Sequence, residues 1–222
     1  MAFKLVIFDF DGTLADTWPW FARVVNDVAD RYDFRRIAND EMAALRGLGA
    51  AEVMQRLGVP RWKLPMIANH MRRRKAREIG ETKLFAGVDR MLSTLAEGGM
   101  KTAIVSSNAE SNVRAVLGPA NAARIGIFEC GAAVFGKTAR FRRVLRRTGV
   151  PAARTICIGD EIRDLEAARS AGIAFGAVHW GFTTPEALAA RRPDQSFERM
   201  EEIPERLFAK GSETLAGVAS AG

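Results

Sequence analysis

The chain has few of the residues that bind soft metals or form covalent cross-links. Its 222 residues include two cysteines and two histidines. Cys130 and Cys157 lie 27 positions apart, beside apolar residues or glycine, which is neither a disulfide framework nor a zinc-binding spacing. We therefore expect two reduced, buried thiols in a cytoplasmic protein, without a Cys/His metal centre.

The chain also lacks an apolar segment of the roughly 20 residues that a membrane span requires. Its apolar start is interrupted by Lys4, Asp9 and Asp11, which argues against a signal peptide. The composition, 48% hydrophobic and 27% charged, is that of a globular protein. We expect no membrane partner.

Basic residues outnumber acidic ones, with 33 Lys+Arg against 26 Asp+Glu and a net charge of +7. Such a surplus is common in nucleic-acid-binding proteins. The densest basic runs, residues 72–77 and 140–147, have helical spacing, which predicts solvated faces of amphipathic helices. We therefore expect no nucleic-acid partner. Residues 16–84 hold 14 basic and 9 acidic side chains, so most of the surplus lies there, where it can steer small anions.

Strands and helices alternate along most of the chain. Residues 5–8 are continuously apolar, as in a strand that is buried on both faces. Further strands are predicted at residues 101–105, 155–158 and 173–178, with helices around residues 88–96, 112–117, 141–145 and 165–171. This alternation predicts an α/β fold with a Rossmann-like parallel sheet.

Residues 16–84 show a different pattern, with helical spacing of apolar residues and breaks near residues 47–49 and 58–60. We expect no strand there. The prediction is an all-helical cap domain of residues 16–84, inserted into a core domain of residues 1–15 and 85–222. Residues 211–222 are small and polar and are predicted to be disordered.

Three of the predicted strands end in polar clusters, and ligands of open parallel sheets bind outside the carboxyl ends of the strands. The clusters are Asp9 with Asp11, residues 106–108, and Asp160 with Glu161 and Asp164. A single aspartate at a strand end is usually a turn or capping residue. Three carboxylates at one point need a cation or a proton between them, and oxygen ligands favour a hard divalent cation, with Mg²⁺ as the first choice.

The clusters occur in an order that resembles the four motifs of the haloacid dehalogenase (HAD) superfamily. Residues 8–13, Phe-Asp-Phe-Asp-Gly-Thr, resemble the first motif, and residues 104–106, Ile-Val-Ser, resemble the second. Lys137 stands where the third-motif lysine is expected, and residues 159–164, Gly-Asp-Glu-Ile-Arg-Asp, resemble the fourth motif. The resemblance spans nearly the whole chain and implies the Rossmann-like core and the helical cap.

Within the superfamily, the chain is similar to the phosphoglycolate-phosphatase-like group. Three segments carry this similarity. They are the helical segment between the first two motifs, residues 85–88 (Phe-Ala-Gly-Val) and residues 178–182 (Val-His-Trp-Gly-Phe). One departure is that the group usually has Lys-Pro at the third motif, whereas this chain has Lys137-Thr138.

The resemblance implies a phosphatase that acts on a small phosphomonoester, such as phosphoglycolate or a sugar phosphate, through an aspartyl-phosphate. Asp9 would be the nucleophile, and Asp11 would protonate the leaving alcohol and then activate water. Ser106 and Lys137 would bind the transferring phosphoryl group. Dehalogenases lack the second aspartate, because a halide needs no proton, so Asp11 favours phosphoester chemistry.

The implied cofactor is Mg²⁺, held by Asp9, the carbonyl oxygen of Asp11 and Asp160. Asp164 lies four residues after Asp160, about one helical turn further on, where it or Glu161 can bind the metal or orient a ligand.

Five further residues are candidates for substrate binding. Gly12 and Thr13 either bring backbone amides to the phosphate or shape the turn into the cap. Ser107 and Asn108 either contact substrate or cap a helix. Arg46, at a break in the cap, either reads the leaving group or faces water.

Two other kinds of function remain open. A phosphomutase of the same fold would use the same residues, and a phosphoacceptor or binding protein without turnover would use a similar acidic cluster. The oligomeric state is not predicted.

Overall fold

Six parallel strands form one sheet in the computed structural model, which describes residues 2–38, 40–131 and 136–209. The strands of the described residues are β1 Leu5–Phe8, β2 Ala15–Asp16, β3 Lys83–Leu84, β4 Lys101–Val105, β5 Ile127–Glu129, β6 Thr155–Gly159, β7 Ala174–Val178 and β8 Gln195–Phe197. The sheet has the order β5-β4-β1-β6-β7-β8, and its neighbouring strands are parallel. The predicted Rossmann-like sheet is confirmed.

Strand β1 lies at the centre of this sheet because it is apolar on both faces. Successive side chains of a strand point to opposite faces. Accordingly, Val6 and Phe8 pack into one hydrophobic cluster and Leu5 and Ile7 into another, and all four are fully buried. Cys157 of β6 lies beside Ile7 and is buried, as predicted, whereas Cys130 is only partly buried, so the prediction of two buried thiols is wrong for Cys130.

Helices cover both faces of the sheet. The helices of the described residues are α1 Trp18–Tyr32, α2 Glu41–Leu45, α3 Ala50–Arg56, α4 Leu64–Arg77, α5 Val88–Glu97, α6 Glu110–Ala123, α7 Lys137–Thr148, α8 Ile162–Ser170, α9 Pro185–Ala189 and α10 Glu202–Ala209, with 3₁₀ turns at Arg61–Lys63, Ile79–Glu81 and Ala152–Arg154. Helices α5, α6 and α10 pack on the face that contains Phe8, and helices α7, α8 and α9 pack on the face that contains Ile7.

Helices α1 to α4 are inserted between two short strands that pair with each other. Ala15 and Asp16 of β2 lie antiparallel to Leu84 and Lys83 of β3. The expectation of no strand in residues 16–84 is therefore wrong at both ends of that segment, because strands of two residues are too short to show a periodic pattern. The inserted helices enclose a small apolar cluster of their own, formed by Val25, Ile37, Leu45 and Leu57.

The division into a core of residues 1–15 and 85–222 and a cap of residues 16–84 stays a prediction. Residues 210–222, which include the predicted disordered tail, lie outside the described part of the chain. None of the described helices has both the length and the apolar character needed to cross a membrane.

Candidate active site

Three neighbouring strands place polar side chains at one edge of the sheet. Asp9 follows β1, Ser106 follows β4, and Asp160 follows β6. Strand β1 lies between the other two and all three run in the same direction, so their carboxyl ends meet. The structure therefore brings the three predicted clusters together.

The centre of the site is a group of buried carboxylates. Asp9, Asp160 and Asp164 are 3%, 0% and 0% exposed, and each offers a carboxylate oxygen within 4.8 Å of the others. The Nζ atom of Lys137, at the start of α7, lies 2.8 Å from Asp9 Oδ2 and 2.5 Å from Asp164 Oδ1. Lys137 thus pairs directly with two of the three carboxylates.

Asp160 is held by hydrogen bonds on both oxygens. The hydroxyl of Thr13 donates to Oδ1 and the backbone N–H of Phe182 donates to Oδ2, each over 2.7 Å. A Cβ atom at Gly12, where φ is +80°, would lie 2.2 Å from Asp160 Oδ2, and one at Gly181 would lie 2.1 Å from Asp160 Cβ. The hydroxyl of Thr13 therefore binds this carboxylate, while Gly12 provides space for the same side chain. The predicted approach of the Gly12 and Thr13 backbone amides to a phosphate stays a prediction.

The carboxylate of Asp11 points away from the group formed by Asp9, Asp160 and Asp164. The Nδ2 atom of Asn108 lies 3.3 Å from Asp11 Oδ2, and Lys75 of α4 forms an ion pair with Asp11 Oδ1. This carboxylate also lines the cavity beneath the helical segment. Because it lies outside the buried group, only the backbone carbonyl of Asp11 remains a predicted metal ligand.

Lys75 was missed by sequence reasoning, which assigned residues 72–77 to a solvated basic face. That prediction is wrong for Lys75, which is only 6% exposed and has its Nζ atom 5.2 Å from the centre of the Trp20 ring. A sequence signal existed, because Lys75 follows Ile67, Ala68 and Met71 at helical spacing and so belongs to the apolar face of α4.

The residues after β4 form a connected polar turn. The backbone N–H of Asn108 donates to the hydroxyl of Ser106 over 3.0 Å, and Asn108 Oδ1 accepts bonds from the backbone of Ala109 and the side chain of Asn112. Asn108 therefore links Asp11 to the start of α6, although its side chain does not cap that helix. Its predicted contact with substrate stays a prediction. Ser107 lines the cavity.

Arg46 joins the helical segment to the loop that holds Asp160. Its guanidinium donates to the carbonyl oxygens of Phe182 and Gly181, over 3.0 and 2.6 Å, and lies 5.1 Å from the centre of the Trp18 ring. Arg46 thus lines the cavity with Nε and Nη2 already bonded to the backbone. Glu161, a second predicted neighbour of the metal, pairs with Arg163 over 2.5 Å.

Burial and charge repulsion govern the protonation of the buried group. Burial, with the negative charge of Asp164, raises the pKa of Asp9 to about 7, although Lys137 opposes the shift. Burial, followed by the charges of Glu161, Asp9 and Asp164, raises the pKa of Asp160 well above its usual range. Burial disfavours the charged form of Lys137, but the carboxylates of Asp164 and Asp9 prevail and raise the pKa of that lysine.

The buried group has the chemistry of a site for a hard divalent cation. It offers carboxylate oxygens only. Asp164 Oδ2 is buried without a partner among the described residues, and Asp9 Oδ2 and Asp164 Oδ1 are paired only with Lys137. A cation would supply the positive charge that the single lysine provides only in part. The residues present therefore fit Mg²⁺.

The chain matches the family model of haloacid dehalogenase-like hydrolases over residues 6–178, and it belongs to this family. It is 29% identical to the phosphoglycolate phosphatase of Synechococcus elongatus over 201 residues, which cover 90% of this chain and 95% of the relative. It is 25% identical over 222 residues to the phosphoglycolate phosphatase of Agrobacterium fabrum, with 93% of each chain covered. These relatives confirm the resemblance to the phosphoglycolate-phosphatase-like group.

Solved structures share the fold. A haloacid dehalogenase-like hydrolase from Streptococcus pneumoniae matches with a TM-score of 0.76 and 18% identity, over 92% of this chain and 98% of that one. CbbY from Rhodobacter sphaeroides, solved in complex with phosphate, matches with a TM-score of 0.69 and 22% identity, over 91% and 96% of the two chains. At these identities the likeness concerns the fold.

Proposed function

We propose that this protein is a Mg²⁺-dependent phosphatase that hydrolyses a small phosphomonoester through an aspartyl-phosphate on Asp9. The observation that carries the proposal is the different setting of two carboxylates only two residues apart. Asp9 is buried against Lys137, whereas Asp11 faces the cavity and is bonded to Asn108. These two settings support an attack of Asp9 on a phosphorus atom and a proton exchange between Asp11 and the leaving group.

In the first step, an oxygen of Asp9 attacks the phosphorus atom and the bond from phosphorus to the alcohol oxygen breaks. Asp11 donates its proton to that alcohol oxygen as it leaves. In the second step, Asp11 takes a proton from a water molecule, which attacks the same phosphorus and releases Asp9 as a carboxylate. Ser106 and Lys137 bind the phosphoryl oxygens and balance their negative charge in both steps.

Asp9, Asp160 and Asp164, with the carbonyl oxygen of Asp11, would hold the ion. When it is bound, Mg²⁺ supplies positive charge that offsets the repulsion between an anionic carboxylate and an anionic phosphate. Thr13 and Phe182 support this arrangement because they fix the position of the Asp160 carboxylate.

The helical segment, residues 16–84, acts as the cap of this site. Its contacts with the core, through Arg46 to the 181–182 carbonyls and through Lys75 to Asp11, close it over the cavity. A closed cap limits the water that reaches the phosphoryl group during the first step and must admit one water molecule for the second. The substrate is therefore small enough to be enclosed.

A phosphate-release assay over a panel of phosphomonoesters, with phosphoglycolate and sugar phosphates included, tests the proposed function. We expect at least one ester to be hydrolysed in Mg²⁺, the activity to disappear in EDTA, and added Mg²⁺ to restore it. Absence of phosphate release from every ester contradicts the proposal, and isomerisation of a sugar phosphate without phosphate release identifies a phosphomutase instead. Activity that is unaffected by EDTA contradicts the metal dependence.

The metal is also expected to stabilise the fold in a pH-dependent way. Asp9 loses its proton near pH 3.8 when unfolded and near pH 7 in the metal-free fold, so the folded state holds the extra proton between these values. The free energy of unfolding of the metal-free protein therefore falls as the pH rises through this window. Mg²⁺ competes with that proton, so we expect it to raise Tm more at pH 8 than at pH 5. An equal increment at both pH values, or one that survives in Asp160→Asn, would count against this site.

A further inference from the structure

The cavity beside the active site is charged at one end and apolar at the other. It has a volume of about 360 Å³ and runs from Asp11 and Asn108 into the cap. The cap end is lined by hydrocarbon side chains from α1 to α4 and the loops between them. Six of these are Ile37, Leu45, Val53, Leu57, Leu64 and Ile67.

The charged residues of the cavity lie at the active-site end. The cavity is lined by six of them: Asp11, Arg46, Arg72, Lys75, Glu161 and Arg163. Glu161 and Arg163 belong to the core and pair with each other, and Arg46 is bound to backbone carbonyls of the core. Lys75 is paired with Asp11. These contacts leave none of the five at the cap end.

Arg72 is the sixth, and no hydrogen bond or ion pair of its guanidinium is recorded among the described residues. It precedes Lys75 by three positions on α4, so it lies about one helical turn from the residue that contacts Asp11. On α4 it therefore lies between Lys75 and the apolar residues that line the cap end.

The residues of α4 that line the cavity also change from apolar to cationic along the helix. Leu64, Ile67, Ala68 and Met71 line the cavity first, and the cationic residues follow. The stretch from Leu64 to Lys75 spans about 16 Å along the helix axis. A ligand with an anionic head and an apolar body matches this face, with its phosphate near Lys75 and its body toward Leu64.

We propose that the leaving group of the substrate is an uncharged alcohol, mainly hydrocarbon and several carbon atoms long, which binds in the cap end of this cavity. The inference rests on the proposed phosphatase function and specifies its substrate class. Glycolate uses little of the cavity, because it is too short to extend from the phosphate end into the apolar cap end. At 360 Å³ the cavity also falls in the range of about 300–1,000 Å³ that encloses ligands much larger than glycolate.

Phosphate release from ethyl, butyl and hexyl phosphate, compared with phosphoglycolate in Mg²⁺, tests the inference. We expect kcat/KM to rise about fourfold with each buried methylene, so that hexyl phosphate exceeds ethyl phosphate by about 100-fold or more. Hexyl phosphate is also expected to exceed phosphoglycolate. Release from all four esters without dependence on chain length, or a preference for phosphoglycolate, overturns the inference and leaves the proposed function intact. Release from a sugar phosphate but from none of these four esters overturns the inference alone, whereas no release from these four or from any sugar phosphate overturns both.

Two alanines of α4 provide a matched pair of variants. Ala68 lines the cavity, whereas Ala76 is exposed on the same helix. We expect Ala68→Leu to lower the ratio of kcat/KM for hexyl and ethyl phosphate about tenfold or more, because the added side chain fills the space for the longer chain. The ratio in Ala76→Leu is expected to equal that of the unmodified protein. Equal ratios in the two variants would place the hydrocarbon chain elsewhere and overturn the inference.

Discussion

The Asp9→Asn variant is expected to lose phosphate release by about 10⁴-fold or more, because an amide cannot take the place of the attacking carboxylate. The variant should still fold, with a stability close to that of the unmodified protein. Burial raises the pKa of Asp9 to about 7, so the ionised carboxylate is unfavourable in the metal-free protein at pH 8, and a neutral amide removes that penalty. Lys137 keeps its second partner, Asp164, at 2.5 Å. A phosphate-release assay in Mg²⁺ and a thermal melt in EDTA measure both effects.

Asp30→Asn provides the control for this substitution, since Asp30 is an exposed residue of α1 that pairs with Arg36. We expect it to retain full activity and to change Tm little. Activity in Asp9→Asn close to that of the control would exclude Asp9 as the nucleophile. A large fall in the Tm of Asp9→Asn in EDTA would contradict the electrostatic description of the buried group.

The Lys137→Met variant is expected to lower the free energy of unfolding of the metal-free protein by about 3–5 kcal/mol. The lysine is 3% exposed, and its loss leaves the carboxylates of Asp9 and Asp164 without their directly paired cation. Mg²⁺ should reduce this loss, because it supplies positive charge to the same carboxylates. We also expect phosphate release to fall about 10²–10³-fold, since a charge that balances the phosphoryl oxygens is missing.

Denaturant unfolding with and without Mg²⁺, with Lys4→Met as the control, measures the effect of the Lys137 substitution. Lys4 is an exposed residue just before β1, and its substitution should leave stability and activity nearly unchanged. If Lys137→Met were as stable as Lys4→Met in EDTA, the lysine would not be compensating the buried carboxylates.

The strands of the core could be predicted where they are long and fully apolar. Residues 5–8 were assigned correctly because a strand buried on both faces has a continuous apolar run, and residues 101–105 because they end in the apolar run Ala103 to Val105. Strands β5 and β8 were not predicted, since three residues are too few to show a pattern. Helix α6 is also longer than the predicted 112–117, because it continues across a kink at Gly118 and Pro119.

The core residues of the site could be predicted because topology alone brings strand ends together. Asp9, Ser106 and Asp160 each follow a strand directly, and a parallel sheet places such residues at one edge. The roles of Lys75 and Arg46 could not be predicted in this way. Both depend on how the helical segment packs against the core, which is set by contacts between residues more than 60 positions apart.

Substrate-binding predictions were least secure for residues with a second possible partner inside the protein. Thr13, the last residue of the first motif, was a candidate for substrate binding, and its hydroxyl bonds Asp160. A threonine can serve either partner, and only the position of Asp160, 147 residues later in the chain, decides between them. The apolar cap end of the cavity could not be predicted either, because its residues have the same helical spacing as residues that pack in a hydrophobic core.

The most direct test of the central claim is to locate the phosphoryl group during turnover. The reaction is stopped with acid within the first turnover, and the protein is digested and examined by mass spectrometry. We expect one phosphoryl group on the peptide that contains Asp9, and none in Asp9→Asn. A phosphoryl group on a different residue, or phosphate release without any phosphorylated protein in the first turnover, would contradict the aspartyl-phosphate mechanism.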